Sequence, residues 1–337
     1  MKNQLFTIYN RLNILIASSF YWPINLEDLL WISFISIVTV GILIDLFSDH
    51  FHRFFKRAKS KDSFKLEIAW TVVWISVGIG FAIPIHFILG ETKTIEYITG
   101  YALEKALSVD NLMVFVLIFT SLGISHILQH RVLMWGIIGA IFMRIGFILA
   151  GISLLESFHW MIYVLGAILI FTSVRMITKK EKEKLEIEKS FSVRFLKKFI
   201  PIDLSENQSR FIIKKQGKRF ATILLVALVS VEMTDLVFAL DSIPAVLAIT
   251  DDVFIVITSN IFAVLGLRSL YFVIGRGIEK MVYLKYGLTI LLGFIGIKMI
   301  ISEFYKIDVV YSLVVILSIL GLTVAFSLMK RQKTGIQ

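Results

Sequence analysis

The chain has 337 residues, is 57% hydrophobic and carries a formal net charge of +10. A soluble domain is about 45–50% apolar, so this composition marks an integral membrane protein. The absence of cysteine excludes disulfides, thiolate-bound zinc and iron–sulfur clusters, and the Lys and Arg excess fits a bilayer with anionic lipid at its cytoplasmic face, not nucleic acid.

Residues 1–26 come first. Leu5, Ile8, Tyr9, Leu12, Leu15, Ile16 and Phe20 fall on one helical face, the pattern of an amphipathic helix on the outer membrane surface. No convincing small-residue cleavage site follows to mark a signal peptide. Nine apolar runs then predict spanning helices, at about 27–47, 66–89, 95–118, 132–150, 158–177, 220–241, 254–274, 284–302 and 308–329. They form two sets, 27–177 and 220–330, separated by a basic linker at 178–219 and followed by a tail at 331–337. The linker's start is a Lys- and Glu-rich solvated helix. Phe191, Phe195, Leu196 and Phe199 beside Arg194, Lys197 and Lys198 predict a membrane-surface helix ended by Pro201. The residues around Gly217 predict a small hairpin. Thirteen basic residues lie in 178–219, and six more in 48–65. With nine spans these fall on one side, which places the N-terminus outside and the C-terminus in the cytoplasm of a bacterial inner membrane. The expected class is therefore an all-α polytopic membrane protein.

Two acidic motifs interrupt the apolar spans: Glu104 to Asn111 in the third, and Glu232 to Asp235 with Asp241 in the sixth. A charge at the bilayer centre costs about 2.5–3.5 kcal/mol on the insertion scale, so these groups must be paired, neutralised or used. Asp110-Asn111-Leu112-Met113-Val114-Phe115 resembles Thr234-Asp235-Leu236-Val237-Phe238 on an oppositely directed span, as inverted repeats with a midplane site would produce. Glu104, Ser108 and Asn111 share one helical stripe, and so do Glu232 and Asp235. On ideal helices Asp110 lies roughly 120° from Glu104, and Asp241 roughly 180° from Glu232. They join the site only if the helices break, and Pro244 predicts such a break.

The donors on offer are these acids, Asn111, Ser108, Ser242 and Asn260. They are all oxygen ligands and suit manganese, magnesium or calcium. Met113 and Met233 could add a soft ligand but are more ordinary as packing. The competing reading is that the acids pair with buried bases: Lys105, Arg144, Arg268 or Lys298. Clustering of the acids against scattered bases favours ion binding, with Arg268 and Lys298 setting cavity charge. Asp45 and Glu67 near helix ends are weaker gate candidates.

These motifs, in this order, resemble the TerC/Alx family of bacterial integral membrane proteins. The matching stretches run from Thr99-Gly100-Tyr101 through Asn111, from Glu232 to Pro244, and from Thr258 to Arg268, ending at Leu284 to Leu288 with Gly296 to Met299. The resemblance implies manganese export, with an older association with tellurium resistance. It also implies that Glu104, Asp110, Glu232, Asp235 and Asp241 handle metal. The expectation is a carrier of divalent cations with no permanently bound cofactor. The chain shows no phosphate-binding loop, so a proton gradient is the natural energy source. Alternatives are a membrane scaffold or stress-resistance component without transport and, more remotely, an intramembrane protease using Asp110 and Asp235.

Overall fold

The computed structural model describes residues 25–54, 60–158, 160–178, 191–203, 210–215, 217–275, 283–302, 304–305 and 307–334. The amphipathic helix expected over the first 26 residues and the Lys- and Glu-rich start of the linker lie almost wholly outside the described residues. Within a bilayer every backbone N–H and C=O needs an internal partner, so apolar runs of this length fold as helices. They are α1 (Leu26–Phe54), α2 (Ser60–Gly80), α3 (Ala82–Leu89), α4 (Glu91–Ser121), α5 (His126–Ser157), α6 (Met161–Thr178), α7 (Phe191–Lys197), α8 (Ile223–Leu247), α9 (Val253–Val264), α10 (Leu267–Gly275), α11 (Leu284–Ile301) and α12 (Val309–Thr334).

Among the described residues, seven helical stretches are long and apolar enough to cross a membrane. The nine expected spans also include α4, which carries Glu104, Lys105 and Asp110, and α6, whose apolar stretch Met161–Met176 is short. Burial ranks the layers. The stretch Val253–Val273 is 89% buried, against 17% for Leu26–Ile44 and 11% for Val309–Ser327. The α9–α10 pair is thus the axis of the bundle, and α1 and α12 are its exposed rim.

Packing follows a two-fold pattern. α4 packs on α9, α5 on α8, and α6 on α11, while α4 also meets α8 and α5 meets α9. Exchanging α4 with α8, α5 with α9 and α6 with α11 maps this set of contacts onto itself, the relation that inverted repeats produce. The α6–α11 crossing is reciprocal at atomic level. A Cβ on Gly166 would lie 3.1 Å from the Gly296 carbonyl oxygen, and one on Gly296 would lie 2.9 Å from that of Gly166. Small residues let membrane helices approach this closely.

The discontinuity is not where Pro244 predicts it. α8 continues through Pro244 to Leu247. Pro244 lies in the last turn, so its missing N–H removes one bond from a helix that is about to end. The break is in the axial element. α9 ends at Leu265 in an extended conformation (ψ 134°), Gly266 turns the chain with φ +79°, and α10 begins at Leu267. A Cβ at Gly266 would sit 2.7 Å from Trp74 Cγ, so glycine is required there by both conformation and space.

The linker adds the only strands among the described residues, in the order β1 (Ile202–Asp203), β3 (Lys218–Thr222), β2 (Ile212–Lys215). β2 and β3 form the expected antiparallel hairpin, with Gly217 at φ +80°. β1 adds in parallel to β3 and was not anticipated. β3 runs directly into α8, and α7 packs on α8.

Candidate functional site

Four helices each place one polar side chain at the centre of the bundle. Glu104 (α4), Arg144 (α5) and Asn260 (α9) are fully buried, and Asp235 (α8) is nearly so. Close approach of the helices makes this possible. A Cβ on Gly100 of α4 would lie only 3.0 Å from Ser259 Oγ of α9. Gly136 and Gly139 of α5 likewise leave room for the α8 face that bears Glu232 and Asp235.

The four side chains close on one another. Arg144 grips Asp235 with two bonds, Nε to Oδ2 at 3.1 Å and Nη2 to Oδ1 at 2.8 Å. Its Nη1 is ion-paired to Glu104 Oε1 and donates to Asn260 Oδ1 at 2.9 Å. Asn260 Nδ2 donates to Glu104 Oε2 at 3.1 Å. Two carboxylates from opposite repeats thus share one guanidinium, whose planar fork suits such bidentate contacts. Arg144 is one of the four bases weighed as partners of the acids, and it takes two of them.

Lys105 takes a different role. Its Nζ donates to the Ala263 carbonyl at 3.0 Å and reaches that of Leu265 at 3.5 Å. These carbonyls end α9 at the break, where the negative pole of the helix favours a cation. Neighbouring residues of α4 therefore hold α9 at two points, Glu104 at Asn260 and Lys105 at the helix end.

The remaining expected ligands spread out. Glu232 lies one turn from Asp235 and faces α5, where a Cβ on Gly139 would be 2.7 Å from its Cδ. Its Oε2 is buried and has no hydrogen-bond partner among the described residues. Glu232 and Asp235 line a cavity of about 20 Å³ with Phe115, Gly136, Ile137 and Ala140, room for a single water. Asp241 points away from this centre, as the angular arithmetic for an unbroken helix requires, and accepts from Thr172 Oγ1 of α6 at 2.8 Å. Ser108 donates to the Lys105 carbonyl within its own helix. Asn111 Nδ2 and Ser242 Oγ are buried and have no hydrogen-bond partners among the described residues. Asp110 belongs to α4, but its side chain, like that of Asp45, lies outside the described residues. Glu67 is buried on α2 and Arg268 in the first turn of α10. Lys298 is buried on α11 and feels the charges of Asp308 and Glu96. Among the described residues, no three His, Asp or Glu side chains come together as a ready metal cage.

A second polar cluster was missed in the sequence. Lys93 Nζ contacts Glu96 Oε2 at 2.9 Å and Asp252 Oδ2 at 3.1 Å, and Thr250 Oγ1 donates to Glu96 Oε2 at 2.6 Å. Asp252 also caps α9, accepting from the Phe254 and Ile255 amides. Thr250-Asp251-Asp252 before an apolar run is a helix-start signal, and it locates the cap but not its partner across the bundle.

The helices, the broken axial element and the buried charged centre together define a polytopic membrane protein with an ionised core. The chain belongs to the TerC family of integral membrane proteins, whose family model matches residues 89–335. It is 42% identical over 301 residues to an "Uncharacterized membrane protein" of Myxococcus xanthus, covering 89% of this chain and 92% of the relative. It is 41% identical to a Photorhabdus laumondii protein named "Putative membrane-bound redox modulator Alx", covering 88% and 93%. The Escherichia coli K12 protein of the same name is 38% identical, covering 88% and 92%. No solved structure matches.

Proposed function

We propose that the protein is a carrier, not an enzyme, that exports divalent cations, manganese foremost, from the cytoplasm across a bacterial inner membrane in exchange for protons. One observation carries this reading: Glu104 and Asp235, from helices exchanged by the two-fold pattern, meet inside the bundle beside a broken helix. Their oxygens, with the Asn260 amide oxygen, are a hard donor set suited to such cations as substrate. Rocking of the repeats would alternate access to the centre. In this reading the basic linker faces anionic lipid on the cytoplasmic side, the N-terminus is outside, and Arg268 and Lys298 tune the charge along the path.

The test is uptake into inverted membrane vesicles with manganese, calcium, magnesium and zinc measured in parallel. Wild type should accumulate Mn²⁺ while the vesicle lumen is acidified and lose that accumulation when the proton gradient is collapsed, and Asp235→Asn should not accumulate it. Equal uptake with and without the protein would sink the reading.

The double pairing of Arg144 favours a second reading, in which the core is structural and the protein is a membrane scaffold or stress-resistance component, including tellurium resistance. In that case Glu104→Gln would lower protein stability with no change in metal accumulation by cells. The relatives' name points to redox modulation, but a chain without cysteine has no thiol–disulfide couple to offer.

A further inference from the structure

We propose that Arg144 is a tethered cation that competes with the transported ion, and that it swings from Glu104 and Asp235 to Glu232 when a divalent ion binds. This rests on the carrier reading above and assigns Arg144 its part in it.

The oxygens that Arg144 occupies are those a divalent ion would need. Glu104 Oε1, both Asp235 oxygens and Asn260 Oδ1 all accept from its guanidinium. An ion cannot take both carboxylates while Arg144 holds them. Charge points the same way. Two carboxylates and one guanidinium sum to one negative charge, and replacing the guanidinium with a divalent ion brings the centre to neutrality. Between loads, Arg144 spares the carrier two unpaired buried carboxylates, a cost that would otherwise stop its return.

The geometry also supplies a resting place. Helical side chains lean toward the N-terminus of their own helix, so Arg144 leans toward Ala140 and Gly136, one and two turns back. Those residues line the cavity shared with Glu232. Glu232 Oε2 is buried there with no hydrogen-bond partner among the described residues, and Gly139 packs directly against that carboxylate. The cavity, at about 20 Å³, is too small for a guanidinium. The swing therefore requires α5 and α8 to part slightly, which couples ion binding to helix movement.

The experiment is Mn²⁺ titration of the full-length protein in lipid nanodiscs by calorimetry, paired with vesicle uptake. If Arg144 vacates the carboxylates in about one molecule in ten, Arg144→Gln should bind Mn²⁺ about tenfold more tightly, because the competitor is gone. Its uptake should nevertheless fall, because the loaded site no longer has a cation to replace the ion on release. Glu232→Gln, which keeps the Glu104–Arg144–Asp235 centre, should bind Mn²⁺ more weakly because Arg144 loses its alternative partner. It is the deciding variant if Arg144→Gln does not fold. Unchanged or weaker affinity in folded Arg144→Gln, or unchanged affinity in Glu232→Gln, overturns the proposal while leaving transport intact. A wild type that binds none of Mn²⁺, Ca²⁺ or Mg²⁺ removes the carrier reading itself.

Discussion

Arg144 has unequal holds on its two acids, and that inequality is measurable. Asp235 accepts two bonds from it, while Glu104 shares Nη1 with Asn260. Breaking a buried pair by removing one partner costs about 3–5 kcal/mol. Asp235→Asn should therefore lower the thermal midpoint more than Glu104→Gln, which leaves the bidentate contact in place. Replacing both acids should cost more than the sum of the single changes, since each single variant leaves Arg144 one carboxylate and the double variant leaves its buried charge with neither. Additive losses in a double-mutant cycle would show that the two carboxylates do not share Arg144. The acids themselves were plain in the sequence, because carboxylates in an apolar run stand out against the cost of burying them. Their partner was not. Arg144 was one of four bases on four spans, and spacing along one helix says nothing of which helix faces it. Asp241 shows what spacing does decide: its angular offset from Glu232 placed it off the centre, and it meets Thr172 instead.

At the scale of elements, the informative residue is Gly266, although Pro244 carried the stronger signal. A proline declares itself by chemistry, but its effect depends on position, and near the end of α8 it removes little. A glycine in an apolar run is ambiguous until its neighbours are known. Here the positive φ and the Trp74 ring make it obligatory. Gly266→Ala should destabilise by about 1–2 kcal/mol from backbone conformation alone, with a further steric loss against Trp74. Trp74→Ala should relieve only part of that steric loss, because the Trp74 Cβ itself lies 2.5 Å from where the new Cβ would be, and should leave the conformational part untouched. Lys105→Met should also destabilise, by about 1–3 kcal/mol, since it orphans carbonyls at the end of α9. Thermal unfolding in a fixed detergent measures all three, and a neutral Lys105→Met would mean that those carbonyls find another donor. The inverted repeat was legible only as a short likeness between two motifs. Its sign in the fold is the exchange of helix pairs and the glycine crossing of α6 with α11, contacts between segments far apart in the chain.

For the whole molecule, the question is what closes each end of the charged core. Hydropathy found the spanning stretches but undervalued α4, whose charges are needed at the centre. It also could not see that the first turn of α4, outside its apolar span, is tied to the α8–α9 turn. Lys93 makes that tie through Glu96 and Asp252. Partial burial pulls the Lys93 ammonium down, but the two carboxylates outweigh it and hold it above its ordinary value. A group raised in the folded state contributes stability that is fully present below its unfolded value, about 10.4 for lysine. That contribution is lost as pH rises through the higher folded value. Closure of this end should therefore be constant from about pH 6 to pH 9 and weaken only above about pH 10.4. Any pH dependence near neutrality then has its origin elsewhere. Amide hydrogen exchange across residues 250–256 reports the closure. Wild type should show faster exchange only in the alkaline range, after correction for intrinsic rates. Lys93→Met should exchange faster already at neutral pH and show no further alkaline step. An alkaline step of equal size in Lys93→Met would take Lys93 out of the pH-dependent part of the closure.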